Sequence, residues 1–201
     1  MILSCSGQLK NATLKAHQQT ENLMMPMLKA IDNTESYVDV LKMMYGFYKP
    51  LEEQIKIVIS AAILPDIEQR HKSALAKNDV ISSGEKSNYI TAGILPVINS
   101  IAQGFGAMYV LEGSTLGGVY ISRMLKQNDA LQNISLTFFN SYGEHTGGMW
   151  KTFKTIMDKT VTSQDDIDEA VHTANDTFVL LQKWMLSYPK MTTKIQPFAR
   201  C

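Results

Sequence analysis

Cysteine is almost absent: Cys5 and Cys201 stand near opposite ends of a 201-residue chain. Such a pair supports neither a disulfide framework nor a thiolate metal cluster, and the expected setting is a reducing cytoplasm. Long apolar runs are also missing. No stretch approaches the about 18 consecutive apolar residues that a membrane span needs. The opening Met1-Ile2-Leu3-Ser4-Cys5 has neither the basic segment nor the apolar stretch that would make it a secretory leader. Charge of one sign is not in excess, since Lys+Arg and Asp+Glu both total 19, so no global field draws nucleic acid or an anionic membrane. Runs of β-branched residues bounded by tight turns are scarce, which argues against sheet.

What is present is ordinary globular material, 45% hydrophobic and 19% charged, enough to fold around one core. Apolar residues recur at helical spacing almost throughout, so the expected fold class is all-α, with residues 1–201 forming a single domain. A first helix is expected from Ser6 to Met25, ended by Pro26. A second is expected from a Thr34 cap to Ile63 with a kink at Pro50, carrying an apolar stripe of Leu41, Met44, Tyr45, Tyr48 and Leu51. A shorter helix from Asp66 to Lys77 leads to a surface loop at Ser82–Ser87. Helix is expected again from Pro96 to Lys126. After a turn near Asn128-Asp129, the last two helices fall at Met149–Lys159 and Gln164–Ser187.

Two features carry chemistry. The helix after Pro96 holds Gly104, Gly106, Gly113, Gly117 and Gly118. Each glycine costs roughly 1 kcal/mol against alanine in a helix interior, so five of them need a reason. A bare backbone permits close approach either of a neighbouring helix or of a flat ligand, and the glycines alone do not choose between these. The preceding strand and Lys-Ser/Thr ending of a phosphate-binding loop are absent. In the first helix, His17 lies seven residues after Lys10 and four before Glu21, so the three share a helical face. An imidazole can bind iron through one nitrogen while the other is oriented by a carboxylate, and Lys10 is placed to meet an anionic group. A solvated histidine on an amphipathic helix has the same spacing.

The stretch LKNATLKAHQQTEN, from Leu9 to Asn22, closely resembles the proximal helix of heme oxygenases. GAMYVLEGSTLGGVYISRML, from Gly106 to Leu125, resembles their distal helix, above all in the bacterial enzymes that make biliverdin for bacteriophytochromes. Weaker similarity covers Leu41–Ile55, His71–Val80 and Ala174–Met185. The resemblance implies a multi-helical bundle with heme between a proximal and a kinked distal helix. It also implies oxidative opening of the ring with molecular oxygen to give biliverdin, carbon monoxide and ferrous iron. His17 would be the iron ligand, with Gly113, Ser114, Gly117 and Gly118 forming the distal, catalytic wall. Lys10 and Lys154 match positions that meet the propionates, Lys151 is a weaker addition, Tyr109 lies near a propionate-contacting tyrosine, and Phe178 matches a pocket-lining aromatic. Expected partners are an electron donor (ferredoxin, flavodoxin or a reductase) and a biliverdin acceptor such as a phytochrome. Ser114 departs from the distal aspartate of the mammalian enzymes: a serine hydroxyl donates and accepts but holds no charge at neutral pH.

Two rivals remain open at this level. A heme-binding protein without turnover would need the same pocket. Glu68-x-x-His71 and Glu169-x-x-His172 have the i, i+3 spacing of di-iron ligands, a short motif that also arises by chance.

Overall fold

The computed structural model describes residues 4–85 and 88–189; Cys201 and Met1-Ile2-Leu3 lie outside these, as do Lys86 and Ser87 of the expected loop. Seven α-helices follow one another among them: α1 (Cys5–Lys29), α2 (Thr34–Val58), α3 (Lys72–Ser82), α4 (Ile101–Leu125), α5 (Thr137–Asn140), α6 (Thr146–Thr160) and α7 (Gln164–Ser187), with short 3₁₀ turns at Ile67–Gln69, Asp129–Leu131 and Gly143–His145. No strand occurs among the described residues, and the all-α expectation holds.

Local chemistry sets most helix ends. Ser4 caps α1 by accepting the Gly7 N–H. Asn33, rather than Thr34, caps α2 in a reciprocal pair with Ser36. Ser100 and Ser163 cap α4 and α7 by accepting from Gln103 and Asp166 at 3.1 Å each. Each such cap satisfies an amide that the helix itself leaves unpaired.

Five boundaries differ from the expectations, two of them for a reason the structure shows. Pro26 does not end α1: the missing N–H costs one bond, but the last turn closes through the Ala30 N–H to the Pro26 carbonyl at 3.1 Å, and Met27 and Leu28 are buried there. The second helix passes through Pro50 and stops at Val58, short of Ile63. Residues 66–71 are not α-helix, because Arg70 is drawn inward. Its guanidinium pairs with both oxygens of Asp66 at 2.7 Å and donates to the Met149 carbonyl at 3.1 Å; α3 starts only at Lys72. The stretch from Pro96 to Ser100 is irregular and α4 begins at Ile101, while α6 starts earlier than expected, at Thr146.

Helix α4 packs on α7, α1 on α7, and α2 on α3. Along α1 the residues Leu9, Thr13, Ala16 and Thr20 are buried, and Gln182 of α7 donates to the Ala16 carbonyl (3.1 Å) and the Thr20 hydroxyl (2.9 Å). This stripe fixes the rotation of α1 and leaves His17 on an adjoining face. Buried Asp79 of α3 gathers the Tyr37, Ser135 and Thr137 hydroxyls and the Phe138 N–H, which anchors α5. The interior is filled by Tyr37, Phe47, Tyr48, Phe105 and Phe153, all essentially inaccessible.

Candidate functional site

A cavity of about 400 Å³ lies between α1 and α4, closed by α2, α5 and α7. Its lining is mostly apolar, with Met24, Met25, Met44, Phe138, Phe178 and Leu181 prominent. That is the usual make-up of a small-molecule site, in which a few polar groups fix orientation.

On the α1 wall stands His17, its side chain 49% exposed and its Nε2 3.8 Å from Glu21 Oε1. The ring meets Phe178 edge-on, with centroids 5.8 Å apart, so one neighbour steers the imidazole while a nitrogen stays accessible. On the α4 wall, Gly113, Ser114, Gly117 and Gly118 all line the cavity. The glycines differ in what holds them. A Cβ on Gly117 would meet nothing within 4 Å, and one on Gly113 would meet only the Trp150 ring at 3.8 Å. A Cβ on Gly118 would strike the Phe139 carbonyl oxygen, and one on Gly106 the Ala170 carbonyl. Two of the five glycines therefore leave open space, and Gly118 is required by its contact with α5.

Ser114 donates its hydroxyl proton to the Leu111 carbonyl at 2.7 Å and accepts from the Tyr48 hydroxyl at 3.3 Å. Burial pushes the Tyr48 phenol up to about 12, so it keeps its proton and remains the donor. Tyr48 was read in the sequence as part of an apolar stripe, and its place beside Ser114 depends on the packing of α2 on α4, which spacing along one helix does not encode. Lys72 was not singled out at all. It is among the residues lining the cavity, but it is only 2% exposed and its ammonium is enclosed by the protein.

The expected basic rim falls outside the cavity lining. Lys10 is exposed on α1, Lys151 is exposed on α6, and Lys154 sits 5.4 Å from the Trp150 ring centre. Tyr109 packs against Trp150 at 5.2 Å. The two Glu-x-x-His pairs do not come together. Glu68 and His71 bond at 3.0 Å at the start of α3. Glu169 accepts from Ser100 at 2.7 Å, and His172 pairs with Asp176 at 3.3 Å on α7. Among the described residues no group of three or more His, Cys, Asp or Glu converges as a metal site.

The cavity can take a flat, largely apolar molecule with a metal at its centre: an imidazole faces one side, a bare backbone the other, and sulfur and aromatic groups surround it. A side chain at Gly117 would project into open space of the cavity.

Comparison with known proteins agrees with this geometry. Among solved structures, heme oxygenase from Neisseria meningitidis, determined with NO and CO bound, superposes with a TM-score of 0.75 at 22% identity over 91% of this chain and 92% of that one. Heme oxygenase-1 from the cyanobacterium Synechocystis, in complex with heme, gives 0.72 at 19% identity over 96% of both. At that identity the likeness speaks for the fold. A heme oxygenase of Xanthomonas campestris is 25% identical over 146 residues, covering 73% of this chain and 86% of the relative. Heme oxygenase PigA of Pseudomonas aeruginosa is 22% identical over 176 residues, covering 86% and 87%. The heme oxygenase family model matches residues 3–187, nearly the whole described chain, and the protein belongs to the heme oxygenase family.

Proposed function

We propose that the chain binds heme in the cavity between α1 and α4 and opens its ring oxidatively to biliverdin, carbon monoxide and ferrous iron. The observation that carries this reading is His17 on one wall with the open backbone at Gly117 on the other. Heme, when bound, is both the substrate and the group that activates molecular oxygen, the co-substrate.

The chain's own residues do the rest. His17 would hold the iron through a ring nitrogen, and Glu21 on the next turn, within 4 Å, is placed to orient the imidazole. Phe178 limits imidazole rotation from the α7 side. Gly113 and Gly117 keep the facing wall at backbone height, which would let a flat ring approach it closely. Ser114 stands where a charged distal group is found in the mammalian enzymes. Its proton is committed to Leu111, so toward the cavity it acts as an acceptor. Lys10, Lys154 and Tyr109, none of which lines the cavity, are the positions that would meet the propionates if the resemblance holds there.

Electrons are supplied by a ferredoxin, flavodoxin or reductase, and the product passes to an acceptor such as a phytochrome, as the resemblance of Gly106–Leu125 to bacteriophytochrome-linked enzymes implies. A cytoplasmic setting is supported by the buried free thiol of Cys5; no helix among the described residues is long and apolar enough to cross a membrane. The test is to load the protein with hemin, add ascorbate or a ferredoxin system, and follow the Soret band. Its decay with appearance of biliverdin absorbance is the expected result. A Soret band that persists under reductant and oxygen would mark a heme-binding protein without turnover.

A further inference from the structure

The cavity wall carries several methionines that the chemistry described so far leaves unused. Met24 and Met25 near the end of α1 and Met44 of α2 bring three thioethers to the lining. Ten methionines fall among the described residues. Met27, Met43, Met44, Met108, Met157 and Met185 are 5% exposed or less, whereas Met24, Met25, Met124 and Met149 are partly exposed. Of these four, the adjacent pair lies on the cavity wall, and Met124 and Met149 do not line it. Met24 follows His17 by seven residues, about two helical turns, and shares its face. Leucine would fill the same space; what sulfur adds is reactivity. A thioether takes an oxygen atom from a peroxide and becomes a polar sulfoxide. The neighbouring wall residues Phe138, Phe178 and Leu181 carry no side-chain donor for a sulfoxide oxygen.

We propose that Met24 and Met25 form a reversible oxidation site for hydrogen peroxide, and that their sulfoxides weaken the binding of a flat, apolar ligand in this cavity. One peroxide oxygen passes to the sulfur: the O–O bond breaks, an S–O bond forms, the sulfur gives up two electrons, and the other oxygen leaves with both protons as water. A ligand entering afterwards strips water from a sulfoxide oxygen that the wall gives nothing to pair with, and a buried polar group left unpaired is costly. A methionine sulfoxide reductase reverses the change, with two electrons from a dithiol that leaves as a disulfide while the oxygen leaves as water. The inference rests on the reading of the cavity as the heme site and adds to it a control of loading by peroxide.

The test has two parts. Heme-free parent is exposed to hydrogen peroxide, and sulfoxides are located over time by mass spectrometry with peptide fragmentation. Met24 and Met25 should convert about tenfold or more faster than the enclosed Met43, Met157 and Met185, since susceptibility follows exposure; equal rates would overturn the proposal. Hemin is then titrated into each protein before and after peroxide, with the Soret band as readout. The parent's affinity should fall about tenfold on oxidation and return after treatment with methionine sulfoxide reductases. The double variant Met24→Leu, Met25→Leu is a volume-conserving exchange, and its affinity after peroxide should equal its own value before, whatever that value is. An oxidised parent that binds hemin as before would overturn the proposal, and so would an equal fall in the double variant, which would place the damage elsewhere. If the unoxidised parent takes up no hemin, the heme reading falls. The same titrations with the apolar dye anilinonaphthalene sulfonate, read by fluorescence, then decide whether the sulfoxides close the cavity to apolar ligands.

Discussion

At the scale of single residues, the distal wall is set by who donates to whom. Tyr48 is 2% exposed and has Ser114 as its acceptor. Ser114→Ala therefore leaves a buried phenol unpaired and should cost about 1–3 kcal/mol, while Tyr48→Phe removes donor and requirement together and should cost about 1 kcal/mol or less. In the double variant the penalty of Ser114→Ala should largely vanish, a non-additivity that urea unfolding of the four proteins measures directly. Strict additivity would mean that the two hydroxyls do not interact. The residue scale is also where the sequence was least legible. His17, Glu21, Ser114 and Gly117 sit in two continuous helical segments, and Phe178 in a third, which is why spacing along the chain reaches them. Tyr48 and Lys72 reach the cavity from α2 and α3, and nothing in their local spacing separates them from core and surface residues.

At the scale of elements, α4 shows one composition serving two purposes. Gly118 meets the α5 backbone and Gly117 opens onto the cavity. Gly117→Ala should accordingly keep or raise the melting temperature of the heme-free protein, since alanine favours helix by up to about 1 kcal/mol, and should weaken hemin binding or turnover. Gly118→Ala should lower the melting temperature, because the Phe139 carbonyl cannot move away without displacing α5. Thermal melts of both variants with and without hemin check the split; equal behaviour would remove the distinction. The number of glycines was visible in the sequence, but their division was not, because it depends on which neighbour lies beyond each Cα. Asp79 is a second such element-scale device. Asp79→Ala removes the acceptor of four donors around α5 and should cost more than about 3 kcal/mol, with Phe138 and Phe139 leaving the cavity wall. Helix periodicity gave α1, α2, α4 and α7 nearly whole. It failed at residues 66–71, where the burial of Arg70 against Asp66 and Glu112 outweighs local preference.

At the scale of the whole molecule, buried ionisable groups make stability depend on pH with opposite signs. Lys72 goes from an ordinary 10.5 to about 8 on folding. Between those values the unfolded chain binds more protons, so the cost of burying the ammonium is fully present below pH 8 and stability rises with pH up to about 10.5. Cys5 acts the other way: burial raises its thiol from 9.0 to about 12, and stability falls as the unfolded chain loses that proton above pH 9. Subtracting the Lys72→Met curve from the parent's cancels Cys5, and urea unfolding between pH 8 and 10.5 should show the parent gaining on the variant. A difference constant across that range would mean that Lys72 titrates normally.

The architecture places one imidazole where it can hold heme iron and leaves the other histidines at the surface or in local pairs. Hemin titration of the parent, His17→Ala, His71→Ala and His172→Ala, followed by the Soret spectrum, tests this most directly. The parent and the two controls should give one spectrum, and His17→Ala should lose it and regain it when free imidazole is added. An unaltered spectrum in His17→Ala, or its loss in either control, would contradict the assignment of His17 as the ligand.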